Sequence, residues 1–389
     1  MKTKGDRTFT YHALHDKEKR SLTILELIRK KGVISRTDIS RATGINAVSV
    51  SNYISSFIKN TLVLEKGHAV SSGGRKPELV ELNAKENFAI GVDICAEEIT
   101  LTLVDIGLNV IAKKKAARPA DAKELAGIVA KLIEDAMGSA KIATACVKAI
   151  GICVSCESLL PVRDAIEKRL GIDTFICDAA SCEAFSEKRF NKDADVEKLL
   201  YVHSDVGRGI IIDDETCTGC PADSGEIEEP AAAAEEGADL AYSEKVKYLS
   251  PWSDYLGIIE MAKREVSRGI GTKIVSLSGG EIDKVTEKVV IDAARQNDET
   301  ALNIIQSIAI NLGLRISYLI NLFGPQAVVI GGGTEAAPEL TFPFINKMVK
   351  RLSLKKYNDT VRVMPSTLGK NGLSLGASAL AVREIFLKA

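Results

Sequence analysis

Residues 88–105 read FAIGVDICAEEITLTLVD, and this stretch decides the fold of most of the chain. Its two apolar runs, Phe88–Ile94 and Glu98–Asp105, predict neighbouring β-strands joined by a short turn. A third strand is predicted near 109–118, and residues 121–138 have the apolar periodicity of an amphipathic helix. A sheet that leads directly into a helix is typical of an α/β domain, in which helices cover the faces of the sheet.

The same order of elements occurs twice. The first round ends with two more strands, Val147–Val154 and Thr174–Cys177, each followed by a predicted helix. The second round starts with a strand pair around a glycine turn and continues with helices, two strands and a C-terminal helix, over residues 199–203, 209–213, 252–323, 326–330, 361–366 and 373 onward. Two similar rounds predict two lobes with a cleft between them.

Residues 21–34, before this body, predict a helix that ends at Gly32. Its apolar side chains recur at helical spacing on one face: Leu22, Leu25 and Ile28. Ser35 and Asp38 then form a Ser-x-x-Asp capping pattern. This pattern predicts a short second helix, with Ile39 and Ala42 turned inward.

A third helix is predicted after a tight turn at Gly44, where the absence of a side chain permits a positive φ. Its predicted buried stripe is Val50, Ile54 and either Phe57 or Ile58. Two short helices joined by a glycine turn form a helix-turn-helix, whose later helix enters the DNA major groove. The outward face of that helix supplies the candidate base-reading residues: Asn46, Ala47, Ser49, Asn52 and Tyr53.

A β-hairpin is predicted directly after the helix-turn-helix, with strands at 62–66 and 78–82. Its tip reads SSGGRK over residues 71–76, so that Arg75 and Lys76 can contact phosphates or the minor groove. A hairpin in this place is the wing of a winged helix. The alternative is a plain hairpin with a solvated tip.

The charge of the chain is unevenly distributed. The 389 residues suit two or three domains of about 150 residues each, and the net charge is −1. Residues 1–82 carry 15 basic against 8 acidic side chains, whereas the rest carries 36 against 44. A basic head on an acidic body favours a nucleic-acid-binding module. No apolar run reaches the roughly 18 residues that span a bilayer, so a cytoplasmic protein without a membrane partner is expected.

From about residue 20 onward the chain resembles the repressor branch of the ROK family of bacterial sugar-responsive repressors and sugar kinases. The matching segments are SGGRKP (72–77), GVDI (91–94), GICV (151–154), Asp178-Ala179, GRGII (207–211), GEI (225–227), LINLFGPQAVVIGGG (319–333) and GASALA (376–381). The resemblance implies an α/β chain: a winged helix-turn-helix plus a two-lobed actin-like ATPase fold of the sugar kinase/Hsp70 type, which is ribonuclease H-like.

The resemblance also implies domain boundaries. A basic arm covers residues 1–20, the winged helix-turn-helix 21–83 and the ROK domain 85–389. Lobe one of that domain spans about 85–195 plus the C-terminal helix 373–389, and lobe two spans about 196–372.

The phosphate loops depart from the kinase pattern of the family. Kinases of the family carry Asp-x-Gly-x-Thr, whereas residues 93–97 read DICAE, which places Cys95 and Glu97 at the glycine and threonine positions. The second loop, Gly-Thr-Gly-Ile-Gly in the family, reads HSDVG over residues 203–207 and gains Asp205. Additional carboxylates repel a polyphosphate. We therefore expect no ATP cofactor and no enzymatic activity.

The sugar-binding side of the family is only partly retained. Asp178 stands at the position of the kinase base, here at most a vestigial one, and Glu226 at a sugar-hydroxyl acceptor. The sugar loop before the helix at 161 is shortened to four residues, and Glu228 or Glu229 replaces the family's zinc-ligand histidine. Asp178 and Glu226 remain the candidate effector-binding residues.

The cysteines suggest a different cleft chemistry. Cys153/Cys156 and Cys217/Cys220 are both Cys-x-x-Cys pairs, the spacing that lets two thiolates share one metal. The resemblance places both pairs, with Cys95 and Cys177, at the rim of one cleft. Zinc, an iron–sulfur cluster or a redox pair are the candidate occupants. The alternative is that these cysteines pack as small apolar side chains, which suits Cys146 and Cys182.

The sequence thus predicts a DNA-binding transcriptional repressor of carbohydrate metabolism. A homodimer or homotetramer is expected to bind a two-fold double-stranded operator, controlled by a sugar or other small-molecule effector in an inactive kinase-like cleft. Three alternatives stay open: a sugar kinase with residual activity, a metal- or thiol-sensing regulator, and a constitutive DNA-binding protein with a vestigial cleft.

Overall fold

The helix-turn-helix and the hairpin predicted before residue 84 are both present in the structure. The computed structural model describes residues 14–68, 78–94, 98–119, 122–154, 160–194, 196, 198–203, 209–213, 257–332, 334–358 and 360–389. The first elements are α1 (Asp16–Lys31), β1 (Ile34–Ser35), α2 (Arg36–Thr43), α3 (Ala47–Lys59), β2 (Val63–His68) and β3 (Glu78–Leu82).

Helix α1 starts five residues before its predicted start, so the last part of the predicted arm over 1–20 is helical. The backbone N–H of His15 donates to Glu18 Oε2 at 2.9 Å, which satisfies an amide at the start of the helix. This turn consists of charged side chains with no apolar periodicity, and the sequence pattern therefore missed it. The predicted end at Gly32 is confirmed, with a φ of +71°.

Helix α2 has the predicted cap and the predicted turn after it. The Asp38 backbone N–H donates to Ser35 Oγ at 3.0 Å, and Gly44 has a φ of +70°. Ile39 is buried as predicted, whereas Ala42 is exposed. The prediction for Ala42 was wrong because an eight-residue helix on the surface buries only its central side chain here.

The core of the DNA-binding head gathers buried residues of α1, α2 and α3 and of the wing strands. The predicted stripe of α3 is confirmed, since Val50, Ile54 and Phe57 are fully buried. On α1 the buried side chains are Ser21, Ile24, Leu25 and Ile28, so the apolar face lies slightly to one side of the predicted Leu22. The wing strands complete the head as a three-stranded sheet of order β1-β3-β2, in which both neighbouring pairs are antiparallel.

The next part of the chain builds a five-stranded sheet from the first predicted round. Its elements are β4 (Phe88–Asp93), β5 (Glu98–Asp105), β6 (Val110–Ala117), α4 (Ala122–Ala140), β7 (Val147–Val154), α5 (Leu160–Leu170), β8 (Thr174–Asp178) and α6 (Ala179–Phe190). The strand order is β6-β5-β4-β7-β8, with β4, β7 and β8 parallel and the others antiparallel.

The two faces of this sheet differ in side-chain size. Large apolar residues such as Ile90 and Ile152 pack on one face against α4 and α5. The opposite face carries small residues and is covered by the C-terminal helix, α13 (Gly372–Leu387). A Cβ on Gly91 would lie 2.0 Å from the Ser374 carbonyl oxygen, so the helix backbone rests directly on β4.

A second, four-stranded sheet repeats the topology of four strands of the first, β5-β4-β7-β8. Its elements are β9 (Lys198–His203), β10 (Gly209–Asp213), α7 (Ile258–Ser267), α8 (Lys273–Leu277), α9 (Glu287–Arg295), α10 (Glu299–Phe323), β11 (Ala327–Gly331), α11 (Pro338–Leu352), α12 (Lys355–Asn358) and β12 (Arg362–Pro365). The order β10-β9-β11-β12 again combines an antiparallel hairpin with parallel strands. Helices α10 and α11 pack on it. The internal duplication predicted from the sequence is therefore confirmed.

The described residues form two compact units. The first contains residues 14–192 and 370–389, and the second contains residues 193–213 and 257–369. The DNA-binding head, the first sheet and α13 therefore belong to one unit.

Helix α10 is the one helix of the described residues that is long and apolar enough to cross a membrane. However, 61% of its most apolar window is buried, and Arg315 is among its buried side chains. A core helix meets the same criteria, so α10 is weak evidence for a membrane span.

Candidate functional site

The start of α3 presents most of the predicted base-reading residues. Asn46, Ala47 and Asn52 are exposed, and Ser49 is half-buried. The Asn46 side-chain oxygen accepts the Ser49 backbone N–H at 2.8 Å, so Asn46 caps the helix and fixes its first turn. Asn52 lies on the exposed face of the helix, where its amide is available for a bidentate bond to adenine.

Tyr53 faces α1 rather than the open side of α3. Its hydroxyl donates to the Lys17 backbone carbonyl at 3.3 Å, and its ring centroid lies 6.0 Å from that of Phe57. Tyr53 is half-buried in this position. These contacts support a role in holding α1 and α3 together. The sequence had predicted only a base-reading role for Tyr53.

Val48 is an exposed residue that the sequence reasoning missed. Its side chain is 72% exposed at the start of α3, between Ala47 and Ser49. Val48 falls outside the buried stripe formed by Val50 and Ile54, and this mismatch was a signal available in the sequence. An exposed aliphatic side chain there can contact a thymine methyl group in the major groove.

The stem of the wing is braced against α2. The Arg36 guanidinium lies 2.9 Å from Glu65 on β2 and 3.3 Å from Glu78 on β3. These two ion pairs fix the hairpin strands beside the helix-turn-helix. The tip residues Arg75 and Lys76 lie outside the described residues, so their phosphate contacts stay a prediction.

Helix α1 joins the DNA-binding head to the rest of its unit. The buried Ser21 hydroxyl donates to the Phe386 carbonyl of α13 at 2.9 Å. Glu26 Oε2 lies 2.8 Å from Arg29 Nε and 3.3 Å from Arg189 Nη1, at the end of α6. Burial alone would raise the pKa of Glu26, but the guanidinium groups of Arg189 and Arg29 outweigh it and lower that pKa. Glu26 is therefore a stable anion that joins α1 to α6.

A second connection holds the far end of α3. The side-chain amides of Asn83 and Asn87 each donate to the Thr61 carbonyl at 2.9 Å. Thr61 has a positive φ of +58°, and Asn87 is fully buried immediately before β4. The end of the recognition helix is thus tied to the start of the central strand of the first sheet.

Of the two predicted effector residues, the structure describes only the backbone of Asp178. Asp178 is the last residue of β8, and α6 begins at the next residue. Nothing is described of the Asp178 side chain, and Glu226 lies outside the described residues, so the role of both stays a prediction. The backbone shows that α6 begins directly after Asp178 and leads to Arg189, which contacts Glu26 of α1.

Of the four predicted metal ligands, only Cys153 is among the described residues. Cys153 is buried on β7, while Cys156, Cys217 and Cys220 lie outside the described residues, as does Cys95. The structure brings Cys153 together with two other thiols, Cys177 and Cys182. Cys182 is fully buried, as a small apolar side chain would be, and its sulfur lies 2.8 Å from that of Cys177.

Comparison with known proteins agrees with the topology of the two sheets. The model of the ROK family matches residues 89–228 and 266–384, well over half of the chain. The chain belongs to the ROK family. The ROK model begins just after the winged helix, so the head is an addition to the domain that defines the family.

Relatives and solved structures match nearly the whole chain. The xylose repressor of Caldicellulosiruptor bescii is 25% identical over 389 residues, covering 95% of this chain and 96% of that protein. A solved ROK family transcriptional regulator, a homolog of the E. coli MLC protein, covers 96% of this chain and 98% of its own, with 20% identity and a TM-score of 0.68. The actin-like fold class and the winged-helix arrangement predicted from the sequence are thereby confirmed.

ROK kinases share the fold of the body alone. The glucokinase of Streptomyces griseus, solved with glucose and AMPPNP, covers 76% of this chain and 99% of its own. Its identity is 22% and its TM-score is 0.57, so the likeness shows the fold and no activity. Regulators and kinases thus both occur among the structures similar to this chain.

Proposed function

We propose that this protein is a DNA-binding transcriptional repressor whose ROK domain is controlled by a sugar or another small molecule. One observation carries the proposal: a winged helix with an exposed recognition face is fixed by α1 and by Asn87 to a ROK sheet. The likeness to repressors over the full length of the chain supports it. We further propose a cytoplasmic homodimer or homotetramer that binds a two-fold operator.

The connections of α6 suggest how an effector alters DNA binding. An effector held by Asp178 and Glu226 acts at the beginning of α6, and Arg189 at its other end contacts Glu26. A small rotation of α6 on effector binding would move α1 and with it α3. The effector changes DNA affinity only by the amount that it prefers one arrangement of α6 over the other.

Catalysis is not part of this proposal. Cys95 and Glu97 replace the glycine and threonine of the first phosphate loop, and Asp205 adds a charge to the second. Each change removes a close backbone approach to phosphate or adds repulsion. If ATP does not bind, no phosphoryl group is available for transfer. We therefore assign the Asp178 carboxylate to effector binding rather than to a role as a base.

The test starts with selection of the operator from random duplex DNA by the full-length chain. Affinity for the selected duplex is then measured at one fixed salt concentration, with and without D-xylose, D-glucose and N-acetylglucosamine. We expect tight, sequence-specific binding that one sugar weakens at least tenfold. Absence of any sequence preference would contradict the proposal. Specific binding that no sugar changes would instead favour the constitutive DNA-binding alternative.

A second measurement on the same preparation distinguishes the proposed repressor from a sugar kinase. ADP release from ATP is followed with each of the three sugars, with and without the operator duplex. We expect no turnover above the background of an Asp178→Asn variant. Sugar-dependent turnover that this variant abolishes would establish the kinase function instead.

A further inference from the structure

Three thiols meet beneath the first turn of α6. The Cys153 and Cys177 residues are direct neighbours on the parallel strands β7 and β8, and Cys182 reaches them from α6. Their sulfur atoms all lie within 4.8 Å of one another, and each residue is at most 1% exposed. These residues are called the thiol cluster below.

The spacing of the thiol cluster is close to that of a metal site. In a tetrahedral zinc site with Zn–S bonds near 2.3 Å, neighbouring sulfurs lie about 3.8 Å apart. The Cys177 and Cys182 sulfurs are closer than this, at 2.8 Å, and small rotations about their side-chain bonds would open the gap. Zinc centres with three protein ligands keep a fourth coordination position open for water or another small ligand.

The surroundings also favour negative charge on the sulfurs. Cys182 lies in the first turn of α6 and Cys177 lies two residues before that helix begins, so both are at the positive end of its dipole. The Cys182 backbone is fixed as well, because a Cβ on Gly376 of α13 would lie 1.7 Å from the Cys182 carbonyl oxygen. The cluster is thus held rigidly, which lowers the entropic cost of binding an ion.

We propose that Cys153, Cys177 and Cys182 form a binding site for a thiophilic divalent cation of the zinc class. Binding would displace the thiol protons to solvent and join β7, β8 and α6 through three metal–sulfur bonds. Because α6 leads to Arg189 and Glu26, an ion at this site would stabilise one position of α1. The regulatory consequence rests on the proposed function, whereas the binding site itself does not.

The test uses Cd²⁺ and the full-length chain, reduced and kept without oxygen. Cd²⁺ bound by thiolates has a charge-transfer absorption that a competing chelator titrates, and this gives the affinity. We expect one ion per chain. Cys177→Ala and Cys182→Ala should each weaken its binding at least about a hundredfold, since even the loss of a residue that only supports a ligand costs 10- to 100-fold.

Two matched controls separate this site from the other cysteines. Cys146→Ala removes a half-buried thiol outside the cluster, and the triple variant C156A/C217A/C220A removes the remaining partners of the Cys-x-x-Cys pairs. We expect both controls to bind Cd²⁺ as the unchanged chain does. Loss of binding in the triple variant, with retention in the cluster variants, would overturn the proposal.

A measurement on the unchanged chain tests the site even if the variants do not fold. X-ray absorption of the Zn²⁺-loaded protein should show three sulfur ligands and one lighter atom. Four sulfur ligands, no binding, or a Cys177–Cys182 disulfide in the freshly purified reduced protein would each overturn the proposal. DNA affinity plays no part in these measurements, so their failure leaves the proposed repressor function intact.

Discussion

Arg189 Nη1 lies 3.3 Å from Glu26 Oε2, and this contact joins the last turn of α6 to the first helix of the DNA-binding head. The two side chains are only 10% and 15% exposed. Arg29 supplies a second partner for Glu26 from within α1. The head is therefore held to α6 by a buried ionic group and to α13 by the bond between Ser21 and Phe386.

Replacing Arg189 tests this connection. In Arg189→Met, Glu26 keeps Arg29 as a partner, so we expect the free energy of unfolding to fall by about 1–3 kcal/mol rather than by the full cost of an unpaired buried charge. The response of DNA affinity to an effector should fall at least threefold. Urea unfolding and titration of the operator measure the two effects.

Arg169→Met is the matched control for Arg189→Met. Arg169 pairs with Glu134 at 2.9 Å, but these side chains are 48% and 41% exposed. An exposed pair of this kind contributes about 0–1 kcal/mol. An equal loss of stability and of effector response in both variants would contradict the role of the Glu26 contact.

The lowered pKa of Glu26 predicts a specific pH dependence. A carboxyl with a depressed folded-state pKa contributes stability above its unfolded pKa of about 4.3, and that contribution is lost as the pH falls toward the folded value. The stability difference between the unchanged chain and Glu26→Gln should be constant above about pH 5.5 and shrink below it. Urea unfolding between pH 3 and 7 measures it, and a difference that grows in acid would refute the assignment.

The close packing of α13 on α6 predicts that Gly376 tolerates no side chain. A Cβ there would lie 1.7 Å from the Cys182 carbonyl oxygen, and backbone must move to accept it. We expect Gly376→Ala to destabilise by about 1–3 kcal/mol. Gly127→Ala in α4 is the control, because open space surrounds that position and alanine should stabilise the helix by about 0.5–1 kcal/mol. Thermal unfolding should therefore move in opposite directions for the two variants.

Two neighbouring residues on α3 should have separable effects. Asn52→Ala removes an exposed amide and should weaken operator binding by about 1–3 kcal/mol without changing stability. Tyr53→Phe removes the hydroxyl that bonds to the Lys17 carbonyl and should cost about 0.5–1.5 kcal/mol of stability with little change in DNA affinity. A fluorescence titration with operator and a denaturation curve for each variant test the pair. Loss of DNA affinity in Tyr53→Phe alone would reverse the assignment.

The salt dependence of DNA affinity tests the predicted phosphate contacts of the wing tip. Arg75→Ala with Lys76→Ala should weaken binding to operator and to unrelated duplexes by similar factors. If both residues contact phosphates, the slope of log affinity against log salt should become shallower by about 2. Lys131→Ala removes an exposed charge on α4 and should leave that slope unchanged. A specificity change in the double variant would indicate base reading instead.

Much of the fold could be predicted because it depends on local patterns. The apolar run of β7 has the predicted bounds, Val147–Val154, since a buried strand shows its burial in consecutive residues. Ser35 and Gly44 mark the ends of α2 through their own backbone chemistry. The start of α1 was missed for the same reason, because its exposed charged turn leaves no apolar pattern.

The candidate site was predictable only where it lies on one element. The exposed face of α3 follows from helical spacing, and the same spacing places Val48 outside the buried stripe although its side chain is apolar. The direction of Tyr53 was not predictable, because it depends on where α1 crosses α3. The meeting of Cys182 with Cys153 and Cys177 was not predictable, since nothing near Cys182 in sequence shows that α6 lies over β7 and β8.

Local patterns in the sequence were enough to predict the family, the order of elements, the duplication and the basic head, because periodicity, capping residues and glycine positions act over a few neighbours. Tertiary structure alone decided which distant groups meet. Glu26 finds Arg189, and Cys153 finds Cys182, only after two strands pair in register and α13 packs against Gly91 and the α6 backbone. Close-packed interiors select such contacts by shape and burial across the whole unit, and a local pattern carries no record of them.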